Sequence, residues 1–312
     1  MPDNDQQDNG KCVTIIFNPH SGQGDPEERK AAISNALAAH GYTCQYIATT
    51  PEEGAREAAA TALKQGVDLL AVSGGDGTVV EALAAVMGTD VAVAVFPAGT
   101  GNLLSVNLGI SRDPVKAADA ALFGRRRTLD LARITVDGDE PKYFAIIAGA
   151  GFDAEMIAGA GREAKDKLGL LAYVWAALKN LGNGPIRVAI LLDDAQRPIR
   201  RRVKSVMVAN MAHLQGGVEL IPGAQPDDGV LDVALLKTER LSEWFRLIVS
   251  AVTHSLHETN TIEFYKAHKI KVDLSKTQAV EYDGEAAGET RSFTVEIVPG
   301  AVTIMVPKAA ES

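Results

Sequence analysis

The densest chemistry in this chain sits in Ser73-Gly74-Gly75-Asp76-Gly77-Thr78. An apolar run at 67–72 leads into it, and a helical pattern at 78–87 leads out. Glycines between a buried strand and a helix let the backbone turn tightly and approach a ligand closely. Their amides, together with the N-terminus of the following helix, form a seat for phosphate. Asp76 is the unusual member, because a carboxylate repels phosphate unless a cation or a transferable proton accompanies it. A phosphate loop that carries its own acid points to phosphoryl transfer rather than to nucleotide binding alone.

Two more loops share that character. Asn18-Pro19-His20-Ser21-Gly22 follows an apolar run at 13–17, and Gly99-Thr100-Gly101-Asn102 follows one at 91–96. Ser21 and Gly22 offer donors to phosphate, and Asn18 either fixes the loop or contacts the nucleotide. Each alone is an ordinary turn composition; together they line one edge of a sheet. Two acidic clusters come later. Asp227-Asp228-Gly229-Val230-Leu231-Asp232 has the oxygen density that suits Mg²⁺, or is an acidic turn leading into a strand. Glu281-Tyr282-Asp283-Gly284-Glu285 reads equally as a hairpin turn built on Asp-Gly.

Composition removes several function classes. With 46% hydrophobic and 23% charged residues in 312, the chain is expected to bury a sizeable core. A net charge of -9 argues against non-specific nucleic-acid binding. No HExxH spacing suggests zinc, and no GxSxG elbow suggests a serine nucleophile. Cys12 and Cys44 fall in expected strands and read as small buried hydrophobes, not as a disulfide. The polar, acidic start of the chain has neither the look of a signal peptide nor that of an anchor. The longest helical apolar run, at 168–178, is too short to span a bilayer. A cytoplasmic protein without a transmembrane segment is expected. Arg125-Arg126-Arg127, and Arg200-Arg201-Arg202 with Lys204, are either solvated faces or docking points for anionic lipid headgroups.

The elements that must hold these loops follow from periodicity. Helical patterns at 26–39 and 51–64, a strand at 42–47 and the runs already named alternate as in a parallel sheet covered on both faces. Loops after strand C-termini are where such sheets bind ligands. Beyond about residue 128 the pattern turns strand-rich, at 129–136, 143–147, 186–192, 204–209, 231–236, 271–274 and 293–298. Two helical inserts, at 165–180 and 241–256, interrupt it. The expected domains are 11–130 and 131–299, with 300–312 returning as a strand to the first. The cleft between them is the expected active site.

In order along the chain, NPHSG at 18–22, SGGDGT at 73–78, FPAGTGN at 96–102, GAGFDAE at 149–155, PGAQPDDGVLD at 222–232 and YDGE at 282–285 resemble the diacylglycerol kinase catalytic-domain family. That family takes in bacterial diacylglycerol and lipid kinases and the sphingosine-kinase-like proteins. GGDGT alone is shared with NAD kinases; the later acidic motifs favour the lipid kinases. The resemblance implies an α/β nucleotide-binding domain followed by an antiparallel β-sandwich-like domain with helical inserts. It implies ATP contacts at Asn18, Thr49, the stretch Gly75, Asp76, Gly77, Thr78 to Glu81, and Thr100, beside the loop donors Ser21, Gly22, Gly74 and Asn102. Glu285 resembles a general base, although Asp76 is also a candidate for that role besides binding the nucleotide's Mg²⁺. Asp228, with the carbonyls of Gln225 and Val230, resembles a structural Mg²⁺ site. Gly101 and Leu103-Leu104 depart from the common pattern without removing a catalytic group.

The expected function is an ATP-dependent lipid kinase acting on a hydroxyl of a lipid such as diacylglycerol, in peripheral contact with a membrane surface. The alternatives are another acceptor (a sphingoid base, phosphatidylglycerol or NAD) or a non-catalytic nucleotide-binding regulator. A regulator is expected to have lost a carboxylate, yet Asp76, Asp228 and Glu285 are all present. An exposed sheet edge in the second domain leaves a homodimer open.

Overall fold

Four apolar runs too short for helices build the first sheet: β1 (Cys12–Phe17), β2 (Thr43–Ala48), β3 (Leu69–Gly74) and β4 (Ala92–Pro97). The computed structural model describes residues 11–50, 52–151, 185–213, 221–237 and 262–308. The expected inserts at 165–180 and 241–256, Pro51 and the later part of GAGFDAE lie outside these. The described chain divides into two compact units. The first contains the residues up to Gly99, Gly109–Arg127 and those from Thr303; the second contains Thr100–Leu108 and Thr128–Val302.

In the first unit, β1 pairs in parallel with β2 and β3, and β3 with β4. The end of β14 (Glu285–Val306) adds a fifth parallel strand through Thr303 and Ile304 opposite Ala92 and Val93. Helices α1 (Pro26–Ala38), α2 (Ala55–Lys64), α3 (Asp76–Val86) and α5 (Pro114–Phe123) cover the sheet. Asp25 caps α1 by accepting from the Glu27 N–H, and Asp113 caps α5 through Val115 and Lys116. Each is followed by proline, which suits the first helical position. Val13, Ile15, Ile33, Leu37 and Phe96 pack with alanines of α5 in the core between.

The second unit is antiparallel. β7 (Ile147–Ala150), β10 (Ser205–Ala209), β11 (Leu231–Leu236) and β12 (Ile262–Ala267) pair in the order β7-β10-β11-β12. β13 (Lys269–Tyr282) pairs with β14, and with β8 (Ile186–Leu192) along its first half and β7 at its end. β8 also pairs with β9 (Ile199–Val203), and β5 (Arg125–Val136) with β6 (Lys142–Phe144). Burial alternates along β8 and the start of β13, as in sheets with one wet face. Phe144, Ile190, Val208, Val272 and Phe293 fill the core. Each such side chain contributes about 1.5–3 kcal/mol on burial.

The structure corrects several expectations. α3 begins at Asp76, not at 78, because extended Gly75 (φ -85, ψ -177) hands the chain directly into the helix. Asp76 is therefore a first-turn acid, which the helix dipole favours. α2 begins at Ala55, not at 51; the N–H groups of Glu52 and Glu53 donate instead to the Thr50 hydroxyl. α4 (Leu103–Leu108) and α5 form where no helix was expected, and β9 and β12 are added strands. Cys12 is exposed and Cys44 half-buried, both as free thiols, against the expectation of buried ones. Cys12 opens its strand and β2 is the edge strand, so neither position has cover on both sides.

Candidate active site

Glycine makes the phosphate-loop region possible by letting the chain pack where a side chain would not fit. An added Cβ at Gly74 would stand 2.5 Å from Thr78 Cγ2, and one at Gly22 (φ +85) would overlap the Ala98 carbonyl oxygen. With those side chains missing, the loops after β1, β3 and β4 close on one another. Asn18 N–H donates to Ser73 O at 2.9 Å, and Ala98 N–H to Gly74 O at 3.0 Å. Gly75 N–H donates to Ser21 Oγ at 3.2 Å, and Asn18 Nδ2 to Thr78 Oγ1 at 2.9 Å.

At the centre is the start of α3. Its first intrahelical bond runs from Val79 N–H to Gly75 O at 3.0 Å. The positive end of the helix dipole lies at this first turn. Thr49 is buried beside β1, its N–H donating to Phe17 O at 2.9 Å. Glu81 Oε2 accepts from Ala55 N–H at 3.1 Å, capping α2, whose Gly54 has no side chain to do so. Arg29 was not singled out from sequence, yet its guanidinium donates to the carbonyls of both Asn18 and Ser21. Thr100 and Asn102 belong to the second unit, where Asn102 (φ 49) is buried and its carbonyl accepts the Val106 N–H at 2.9 Å to start α4.

In the second unit, the YDGE stretch is a two-residue hairpin. Asp283 (φ 45) and Gly284 (φ 88) occupy its corners, as an Asp-Gly turn allows, and Tyr282 pairs across from Glu285. Glu285 is exposed, and the Tyr282 hydroxyl donates to its Oε2 at 3.1 Å. The turn is held from beneath by Asp283, whose carboxylate accepts the amides of Ala145, Ile146 and Ile147 at 2.7, 3.0 and 2.9 Å. Fully buried Asn210 continues the network, donating to Ala145 O at 3.0 Å and Asp130 O at 3.1 Å. Asp130 in turn accepts from Gly229 N–H in the acidic turn and from Gly300 N–H, both at 2.7 Å. Asp130, Asn210 and Asp283 thus tie the two acidic motifs together, although their sequence separation hid them.

At the acidic turn, Asp228 Oδ1 accepts from Val230 N–H at 3.2 Å, and Lys266 Nζ lies 3.3 Å from its Oδ2 and 3.4 Å from Asp232 Oδ1. Asp232 is only 5% exposed, and its Oδ2 is buried with no hydrogen-bond partner among the described residues. Burial pushes its carboxyl pKa up, against the pull of Lys266. A carboxylate pair with an orphaned buried oxygen fits a hard cation. Among the described residues no group of three His, Cys, Asp or Glu side chains gathers, so main-chain carbonyls such as those of Gln225 and Val230 would have to complete a shell.

The basic runs are partly engaged: Arg201 pairs with Glu263 at 2.7 Å, and Arg126 donates to the Asp90 carbonyl. Burial would raise the pKa of Glu263, but hydrogen bonds from Lys237, Tyr265 and Arg201 outweigh it and lower the value to about 2. A groove of about 520 Å³ opens at the other end of the parallel strands, around Thr14, Gln45 and Asp68, and contains none of the phosphate-loop residues. No helix among the described residues is long and apolar enough to cross a membrane.

Residues 12–134 match the family model of the diacylglycerol kinase catalytic domain, and residues 133–306 that of the YegS C-terminal NAD kinase beta sandwich-like domain. A diacylglycerol kinase of Mycobacterium tuberculosis (strain CDC 1551 / Oshkosh) is 28% identical over 298 residues, covering 95% of each chain. One from Bacillus subtilis (strain 168) is 28% identical over 305 residues, covering 96% of this chain and 98% of its own. The crystal structure of a diacylglycerol kinase from Bacillus anthracis str. Sterne has the same fold, with a TM-score of 0.71 at 23% identity over 95% of this chain and 97% of that one.

Proposed function

The chain belongs to the diacylglycerol kinase catalytic-domain family, and from that premise we propose that it transfers the γ-phosphate of ATP to the hydroxyl of a lipid such as diacylglycerol. The observation that carries this reading is the closure of three glycine-bearing loops around the start of α3, with Asp76 as its first residue. Main-chain N–H groups there donate to the polyphosphate oxygens, and Asn18, Ser21 and Thr78 keep the loops in register. Asp76 would hold the nucleotide's Mg²⁺, which when bound neutralises charge on the phosphates.

In the transfer itself, the lipid hydroxyl oxygen bonds to the γ-phosphorus as the bond from that phosphorus to the bridging oxygen breaks and ADP leaves. Glu285 takes the hydroxyl proton. An alkyl alcohol is so weak an acid that the proton moves only as the new bond forms, so Glu285 needs position more than a raised pKa. The Tyr282 hydroxyl and the Asp283 turn supply that position. Asp228, with the carbonyls of Gln225 and Val230, would hold a second, structural Mg²⁺ in exchange for Lys266. The acceptor lipid is met by transient contact with the cytoplasmic face of a membrane, aided by the basic runs at 125–127 and 200–204.

The test is transfer of labelled phosphate from ATP to a panel of diacylglycerol, monoacylglycerol, a sphingoid base and phosphatidylglycerol in mixed micelles, with NAD included. Label on diacylglycerol is expected. Label on NAD alone would replace the lipid reading, and ATP binding without transfer to any acceptor would make the protein a nucleotide-responsive regulator.

A further inference from the structure

Arg29 sits in the first turn of α1 and turns back onto the loop that precedes the helix. One Nη donates to the Asn18 carbonyl at 2.6 Å and the other to the Ser21 carbonyl, while the guanidinium carbon lies 4.4 Å from the centroid of the Phe17 ring. Both carbonyls belong to residues that also grip the α3 loop, Asn18 through Thr78 and Ser21 through Gly75. The Nε N–H is buried with no partner among the described residues, a penalty that an apolar side chain of similar length would avoid. The Arg29 side chain therefore does more than fill space.

A tight loop has carbonyl dipoles as well as amides, and carbonyl oxygens turned toward a polyphosphate repel it. A cation that binds those oxygens removes the repulsion and adds positive charge to the loop. Gly22 belongs to the same arrangement, since a Cβ there would also stand 3.5 Å from an Nη of Arg29. We propose that Arg29 is a positioning residue for the nucleotide phosphates, clamping the Asn18 and Ser21 carbonyls away from them. The proposal rests on ATP being the phosphoryl donor.

The experiment compares the full-length parent with Arg29→Met and Arg29→Lys by calorimetric titration of MgATP and of adenosine, followed by transfer kinetics on dioleoylglycerol micelles. For Arg29→Met, the Kd and KM for MgATP are expected to rise about tenfold, equivalent to about 1.4 kcal/mol. Its kcat should stay within about twofold, the pattern of lost binding common to ground and transition states. Adenosine affinity should not move, because adenosine has no phosphates. Arg29→Lys should recover part of the lost affinity, to within about threefold of the parent, since an ammonium has three donors and keeps the charge. A methionine variant that binds MgATP as the parent does, or one that loses adenosine and MgATP equally, overturns the proposal. If that variant melts below assay temperature, Arg29→Lys decides: a loss confined to MgATP sustains the proposal, and an equal loss of both ligands overturns it. A parent that binds MgATP yet phosphorylates no lipid removes the lipid-kinase reading while leaving the Arg29 comparison intact; one that binds no MgATP overturns both.

Discussion

The phosphate loops of the first unit and the acidic turns of the second are positioned by opposite means. In the first unit, side chains are removed: Gly22 lets backbone lie against the Ala98 backbone and Gly74 against the Thr78 side chain, and the groups offered to a ligand are mostly main-chain amides. In the second, side chains are buried: Asp130, Asn210 and Asp283 hold backbone by hydrogen bonds, and the groups offered outward are carboxylates. A site for an anion is built from what a peptide already has, whereas a site that takes a proton needs a carboxylate held in place. The first arrangement is intolerant of added atoms and the second of lost ones.

The sharpest way to break this division is Glu285→Gln. Turnover should fall by about 10²–10⁴, the usual worth of a general base, with MgATP affinity unchanged. Calorimetry beside a transfer assay checks it; full activity would remove Glu285 as the base, and lost MgATP binding would erase the distinction between the units. Next is Gly74→Ala, whose methyl meets Thr78 at 2.5 Å. Overpacking of this kind costs about 1–3 kcal/mol, and here MgATP affinity should fall with the melting temperature. A variant with parental MgATP affinity would show that the close approach is incidental. For Asp283→Ala, three amides lose their acceptor, and urea unfolding should show a loss of about 1–3 kcal/mol. Its kcat should drop at constant KM for ATP; a fall in ATP affinity instead would count against the separation.

The smallest effects are in pH. Glu263 in the second unit titrates at about 2 when folded, below its ordinary 4.5, so its contribution is complete above 4.5 and is lost as pH falls toward 2. Tyr46 in the first unit is raised by burial from 10 to about 12, so its contribution is complete below 10 and is lost as pH rises through 12. Thermal melts of Glu263→Gln should be flatter than the parent's on the acid limb, and those of Tyr46→Phe on the alkaline limb. Parallel curves for either pair would refute the corresponding assignment.

Legibility in the sequence followed the same divide. Glycines after apolar runs announce the phosphate loops locally, and β1, β3 and β4 were readable because short apolar runs between helical patterns admit little else. α5 was missed although Asp113-Pro114 is a helix-start signal, and β9 because its Arg200-Arg201-Arg202 run resembles a solvated face. The residues that hold the acidic turns were hidden for a stronger reason. Asp283 meets Ala145 across a separation of 138 residues and Asp130 meets Gly300 across 170, with no local pattern to mark either. Arg29 looks from sequence like one more charge on a helix, and nothing local marks Glu81 as the residue that caps α2.

One strand bears on how the molecule is made. β14 begins beside the Glu285 turn and finishes as the last of the parallel strands, with Thr303 and Ile304 against β4. The nucleotide-binding unit therefore cannot complete its sheet during synthesis until the whole of the second unit has been made. Its early strands must wait with an open edge, a state that invites chaperone capture or pairing with a neighbouring nascent chain. A stop codon just before Thr303 would leave every phosphate-loop residue encoded, yet the unit carrying them would lack a strand.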